Sequence, residues 1–205
     1  MVFDKEASFE EAVITVLKQH GWDDAGGVLR YPTEQDLIDN WAKILFQNNA
    51  DIDRLNGCPL TQGEMAQVIE QIETLKTPLA LNGFINGKTV AVTRDNPDDA
   101  LHLGKEVSLK IYDRQEIAAG QSRYQIAQQP VYPAKSKILN DRRGDLCLLI
   151  NGMPVIHIEL KRSGIPVSQA TGQIEKYAHE GVFTGLFRLC LLYTSPSPRD
   201  PKTSR

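Results

Sequence analysis

Asp145, Glu159 and Lys161 are the residues whose types and spacing could do chemistry in this chain. Asp145 opens one apolar run, Leu146 to Ile150, and Glu159-Leu160-Lys161 closes the next, Val155 to Lys161, with Asn151-Gly152 between them. Two carboxylates and a lysine at the ends of paired strands can hold a divalent metal and cut a phosphodiester. Such a hydrolysis asks the protein to remove about 20 kcal/mol of barrier. A bound Mg²⁺ supplies much of that by polarising the phosphoryl oxygen and lowering the pKa of its water. Mg²⁺ favours one or two carboxylates plus other oxygen ligands, so Asp145 and Glu159 form the natural pair, with the backbone carbonyl of Leu160 a possible third ligand. Lys161 lies two residues past Glu159, on the same strand face, where it can orient a water and offset phosphate charge.

This chemistry depends on strand register. A two-residue Asn151-Gly152 turn pairs Ile150 with Met153 and sets Asp145 opposite Ile158, which sends the two carboxylates to opposite faces. A three-residue loop, Ile150-Asn151-Gly152, with Gly152 left-handed as a bulge, pairs Asp145 with His157 and makes Glu159 its diagonal neighbour on one face. The metal reading therefore predicts the bulged loop. His157 faces the site by the same parity, as a ligand or, more simply, as a hydrogen-bonded structural histidine. Cys147 reads as a core residue.

The surrounding elements must position these groups. Ser8 to His20 has helical periodicity, with Phe9, Val13, Ile14, Val16 and Leu17 on one arc and Glu10 inside it. An acid there is either a rim or first-turn charge or part of the site. Thr33 caps a helix from Glu34 to Asn48, and Thr61 with Glu64 makes a capping box for Gln62 to Leu75. Phe84-Ile85 and Thr89 to Val92 flank Asn86-Gly87 as a hairpin, and Val107 to Tyr112 and Tyr124 to Ala127 read as strands. Pro130 and Pro133 make Gln128 to Lys137 a loop. After the two core strands, a helix from Ser168 to Glu180 ends at Gly181, and a last strand starts near Leu186. Gln173 and Tyr177 share a face of that helix, so Gln173 can bond a water, a phosphate or a carboxylate while Tyr177 holds it. The alternative is a packed Tyr177 beside a solvated Gln173.

Composition sets the outer bounds. The chain has 205 residues, 41% hydrophobic and 24% charged, and it carries a net charge of −3. That is an ordinary globular balance, so any contact with nucleic acid rests on a local patch. Lys135, Lys137, Arg142, Arg143 and Arg162 bracket the motif and either contact phosphates or form a solvated rim. No apolar run reaches the roughly 20 residues that span a bilayer. The N-terminus lacks the basic-then-apolar pattern of a signal peptide, which implies a cytoplasmic protein without a membrane. Cys58, Cys147 and Cys190 are too few and too scattered for a disulfide framework or a zinc site.

The phrase LLINGMPVIHIELKRSG followed by QIEKY resembles the N-terminal nuclease domain of the restriction (motor) subunit of type I restriction-modification enzymes, and SFEEAVITVLKQHGW is similar to that family's opening helix. The likeness is dense from Asp141 to about Val182, moderate over Ser8 to Trp22, and thin between. It implies an α/β fold with a PD-(D/E)xK restriction-endonuclease-like core, a central mixed sheet flanked by helices. It also implies catalytic roles for Asp145, Glu159 and Lys161, an added Gln173/Tyr177 motif implicated in cleavage, and Glu10 as the acidic residue near the metal. The implied cofactor is Mg²⁺. The implied partners are double-stranded DNA and the modification and specificity subunits of an ATP-dependent complex.

Two departures stand out. Gly144 occupies the position of the motif's Pro, and no GxxxxGK[ST] loop is present, so ATP would be bound only by an absent motor region. The expected organisation is a truncated nuclease domain over 1–192 and a disordered or non-native tail over 193–205, with no residue beyond Tyr193 able to join a core. Two rivals remain at this point: a free-standing DNA repair or junction nuclease of the same fold, and a non-catalytic DNA-binding or assembly module.

Overall fold

Short-range rules explain the helices. The computed structural model describes residues 5–22, 27–75, 77, 80, 89–111, 122–133, 141–162 and 164–195. Helix α1 spans Glu6–Gln19, two residues earlier than the apolar pattern suggests. Its arc buries Phe9, Glu10 and Ile14, whereas Val16 is 52% exposed, so the buried stripe is narrower than the sequence arc. Helix α2 covers Glu34–Asn48, where Thr33 caps the Asp36 amide and Asp36 caps Thr33 in return. Helix α3 covers Gln62–Glu73 behind the Thr61/Glu64 box. Helix α4 covers Val167–His179, behind Pro166.

The central sheet is mixed and five-stranded. In chain order its strands are β1 (Leu29–Arg30), β4 (Tyr124–Gln128), β7 (Leu146–Ile150), β8 (Met153–Leu160) and β9 (Leu191–Ser195), which are also neighbours in that order. The β1–β4 and β8–β9 pairs are parallel; β4–β7 and β7–β8 are antiparallel. Side chains alternate between faces. Leu146, Leu148, Ile158 and Leu160 pack with Phe9 and Ile14 of α1 on one face. Cys147 and Leu149 pack on the other face in a larger core with Leu37, Trp41, Val68 and Tyr177. Sheet and helices together form the α/β arrangement consistent with a PD-(D/E)xK-like core. A separate hairpin-like pair, β2 (Thr89–Thr93) and β3 (Glu106–Lys110), packs beside α3. The Phe84-Ile85 half of the expected hairpin and Tyr112 lie outside the described residues.

Buried polar bonding fixes that second sheet. The Arg94 side chain is fully buried, donating to Glu64 at 2.6 Å, to Asp99 at 3.0 Å and to the Cys58 carbonyl at 3.1 Å. Glu64 therefore serves twice, as the α3 capping acid and as a counter-charge in the interior.

Two expectations are corrected, besides the strand register. Val131–Tyr132 is a short strand, β5, paired with β6 (Arg142–Arg143), and not loop throughout. The two residues fit between Pro130 and Pro133, so neither proline interrupts the two-residue ladder. Residues 134–140 lie outside the described set. Near Leu186 the chain forms a 3₁₀ turn, Gly185–Leu189, and the last strand starts at Leu191. Leu186 and Phe187 are both buried, which a half-buried strand with alternating faces would not allow. Strand β9 reaches Ser195, two residues past Tyr193.

The register correction matters most. The turn is the two-residue form: Ile150 pairs with Met153, and Asn151 and Gly152 take φ of 51° and 85°, both left-handed. Gly152 is also held close to α2, because a Cβ there would come within 2.9 Å of the Trp41 Cα. The bulge lies elsewhere. Leu149 pairs with Pro154 and Leu148 with Ile156, leaving Val155 as an extra residue on β8 beside a proline that has no N–H to donate. From there Leu146 pairs with Ile158, and one further step sets Asp145 beside Glu159, not His157. Parity is restored by a bulge inside the strand.

Candidate active site

Asp145 and Glu159 stand on the same sheet face at the same end of β7 and β8, the placement that the bulge at Val155 permits. The backbone N–H of Leu160 donates to Asp145 Oδ2 at 2.6 Å and fixes the carboxylate against β8. In extended chain the N–H and C=O of one residue leave on the same side, so the Leu160 carbonyl also points to the β7 side. Burial, then the charge of Glu159, raises the Asp145 carboxyl from 3.8 to about 7, against the opposing pull of the Leu160 N–H and Lys161.

Glu159 is fully buried. Its Oε2 meets His157 Nε2 at 3.1 Å, whereas Oε1 has no hydrogen-bond partner. Lys161 Nζ stands 3.8 Å from that oxygen and 3.9 Å from Glu6 on α1, so it bridges the sheet end to the first helix.

Glu10 is buried in the second turn of α1, so neither the rim nor the first-turn reading holds. Gln128 Nε2 donates to its Oε1 at 2.5 Å, and Gln129 Nε2 reaches both of its oxygens at 3.3 Å. Gln129 has a left-handed backbone, φ 49°, and its own N–H donates to the Asp145 carbonyl at 2.8 Å. One residue thus touches the carboxylate of Glu10 and the backbone of Asp145. The charge of Glu10 adds to the rise in the Asp145 pKa.

On α4, Gln173 Nε2 donates to the Tyr177 hydroxyl at 2.7 Å, and that hydroxyl donates to the Arg143 carbonyl at 3.0 Å. Tyr177 is packed and also holds Gln173. Of the bracketing cations, Arg142 is committed to a two-pronged bond with Glu180, at 2.6 and 2.8 Å, and is not free for phosphate. Arg143 stacks 5.5 Å over the exposed Tyr31 ring, and Arg162 is exposed. Lys135 and Lys137 lie outside the described residues.

Sequence reasoning missed four supporting residues: Glu6, Gln128, Gln129 and Tyr132. Their partners lie far along the chain (118 residues separate Gln128 from Glu10), so no local spacing announces them. The left-handed Gln129 directly before Pro130 is the nearest thing to a signal.

Residues 4–195 match the family described as type I restriction enzyme R protein N terminus. The chain belongs to this family. Among its relatives is a type I restriction enzyme endonuclease subunit of Staphylococcus saprophyticus, 31% identical over 193 residues, a match covering 94% of this chain and 18% of the relative. A Staphylococcus aureus (strain MSSA476) endonuclease subunit is 27% identical over 197 residues, again covering 94% and 18%. The chain thus spans about a fifth of the length of these relatives. Among the described residues no helix is long and apolar enough to cross a membrane.

A divalent metal suits these residues in one respect and strains them in another. No three His, Cys, Asp or Glu groups among the described residues converge on one point, so side chains alone do not cage an ion. Mg²⁺ does not require a cage; it takes one or two carboxylates and completes its shell with water and substrate oxygens. Glu159 Oε1, buried without a hydrogen bond beside a second acid whose pKa burial raises, is the kind of deficit that a cation would relieve.

Proposed function

We propose that this chain is the DNA-cleaving part of a type I restriction enzyme R protein, a Mg²⁺-dependent endonuclease that hydrolyses phosphodiester bonds in double-stranded DNA. The observation that carries the reading is the buried Glu159 Oε1, which accepts no hydrogen bond and has only the Lys161 ammonium, 3.8 Å away, to offset its charge beside Asp145. A buried acceptor left without a partner costs about 1–3 kcal/mol, more when charged, and a protein that keeps such a group needs a reason. Asp145, Glu159 and the Leu160 carbonyl are the groups that would hold the ion, with Glu10 adding negative charge from α1. The ion, when bound, supplies a polarised phosphoryl oxygen and a water acidic enough to attack near neutral pH.

The remaining work falls to the chain itself. Asp145 is fixed by the Leu160 N–H, so its free oxygen keeps one orientation as a substrate phosphate arrives. Lys161 is held between Glu6 and Glu159, from where its ammonium can orient the attacking water and offset charge on the phosphate. Gln173 is braced by Tyr177, which is in turn anchored on the Arg143 carbonyl, so its amide is presented without searching rotamers. DNA contact rests on local cations, since the net charge is −3. ATP-driven movement and sequence recognition belong, on this reading, to the rest of the R protein and to the modification and specificity subunits.

The test is Mg²⁺-dependent nicking of supercoiled plasmid by this chain, with a Lys161→Ala control, and calorimetric Mn²⁺ binding with an Asp145→Ala control. Cleavage lost in the first control supports a self-sufficient site. Metal binding lost in the second, without cleavage, supports a site that needs its partners. A chain that binds no divalent cation refutes the proposal.

A further inference from the structure

Behind Glu159, on the side away from Lys161, sits a buried polar chain that the proposed reaction does not use. The Tyr132 hydroxyl is 2.7 Å from His157 Nδ1, and His157 Nε2 is 3.1 Å from Glu159 Oε2. All three side chains are buried. A carboxylate only accepts, so the His157 proton toward Glu159 must sit on Nε2. In the neutral ring Nδ1 is then the acceptor of the Tyr132 O–H, and every donor in the row has one acceptor. Burial raises the Tyr132 phenol well above its ordinary value, which keeps that hydroxyl a donor.

Gly144 makes room for the row. A Cβ at this position would come within 2.6 Å of His157 Cε1 and 3.0 Å of the Tyr132 ring and hydroxyl. The Gly144 N–H also donates to the Pro130 carbonyl at 3.1 Å, a bond that proline could not make. The glycine found where the PD-(D/E)xK motif has proline is therefore accounted for by the histidine and tyrosine packed against it. Phe183 and Phe187 close the other sides, with ring centroids 5.1 Å from His157 and 4.7 Å from Tyr132 respectively.

We propose that Tyr132 and His157 are positioning residues that occupy Glu159 Oε2 and so present Oε1 alone to a divalent cation, with Gly144 as the space they require. This rests on the nuclease reading of the same site. A carboxylate bonded through one oxygen is held in one orientation with its other oxygen foremost, so the ion meets one fixed donor atom. Partners of this kind, one bond removed from a metal, typically change affinity about 10–100-fold when lost.

The experiment pairs ¹⁵N NMR of the histidine rings in the 205-residue chain with Mn²⁺ titration of wild type, Tyr132→Phe, His157→Leu and His157→Gln. The expected wild-type spectrum shows His157 as a single Nε2–H tautomer with Nδ1 accepting a hydrogen bond, and Tyr132→Phe keeps that tautomer with an Nδ1 that no longer accepts one. Mn²⁺ affinity is expected to fall about tenfold in Tyr132→Phe and about 10–100-fold in His157→Leu, with partial recovery in His157→Gln, which restores an N–H donor. An Nδ1–H or doubly protonated ring in wild type overturns the inference, and that reading stands even if His157→Leu fails to fold. Equal Mn²⁺ affinity in wild type and Tyr132→Phe also overturns it, while the nuclease reading survives. A wild-type chain that binds no Mn²⁺ overturns the nuclease reading, and the inference falls with it.

Discussion

Replacing Asp145 by asparagine should make the metal-free chain more stable at alkaline pH and leave it no more stable in acid. Burial and the Glu159 charge raise the Asp145 carboxyl from 3.8 to about 7 in the folded chain. A folded pKa above the unfolded value means that the fold favours the neutral acid. Its contribution is fully present below about pH 4 and is lost as pH rises through about 7. At 1.36 kcal/mol per pH unit, the ionised form costs about 4 kcal/mol, and partial contact with water trims this to about 2–4 kcal/mol. Asparagine has nearly the same shape, keeps an oxygen for the Leu160 N–H and carries no charge. Urea unfolding of both proteins in EDTA, from about pH 3 to 8.5, should therefore show a difference near zero at the acid end that grows to about 2–4 kcal/mol in favour of Asp145→Asn at the alkaline end. Mg²⁺ should largely cancel the difference at pH 8, because only wild type gains from binding, by about 2.7 kcal/mol at a hundredfold excess over Kd. A variant equally or less stable than wild type across the whole range would show that Asp145 is not held against its charge, and the argument for a cation deficit would fail.

Arg94→Met should cost about 3–5 kcal/mol in urea unfolding, since it leaves Glu64 buried with no counter-charge and Asp99 with His102 alone. Gly152→Ala should cost about 1–3 kcal/mol, read as a fall in Tm, because φ is 85° and the new Cβ would press within 2.9 Å of the Trp41 backbone. Tyr177→Phe should lower stability by only about 1 kcal/mol, for the lost bond to the Arg143 carbonyl. It should lower plasmid nicking by a larger factor, through a released Gln173; equal losses in both would assign Tyr177 to packing alone.

Much of the scaffold could be read before any coordinates because its rules are local. Thr33, Thr61 and Glu64 announce helix starts to the residue, since an N-cap bond spans only three positions. Leu146 to Ile150 and the run closing at Glu159 were legible as strands from apolar content and the Asn-Gly turn between them. The last strand was misplaced because Leu186 and Phe187 are apolar for a different reason: they fill the core from a 3₁₀ turn.

The sequence by itself determined that Asp145, Glu159 and Lys161 end two neighbouring strands and that Gln173 and Tyr177 share a helix face, because spacing along a regular element fixes direction. Tertiary structure decided whether the two carboxylates meet. Both a bulged turn and a bulged strand satisfy the same parity, and the choice fell on Val155 once Asn151 bonded to Arg123 and Gly152 packed against Trp41. It also decided what stands behind the site: Gln128 and Gln129 on Glu10, and Tyr132 and His157 on Glu159. Those contacts join residues 25 to 119 positions apart, or pass through a residue that is itself so joined. No periodicity carries that information; it exists only once the sheet and α1 have closed on each other.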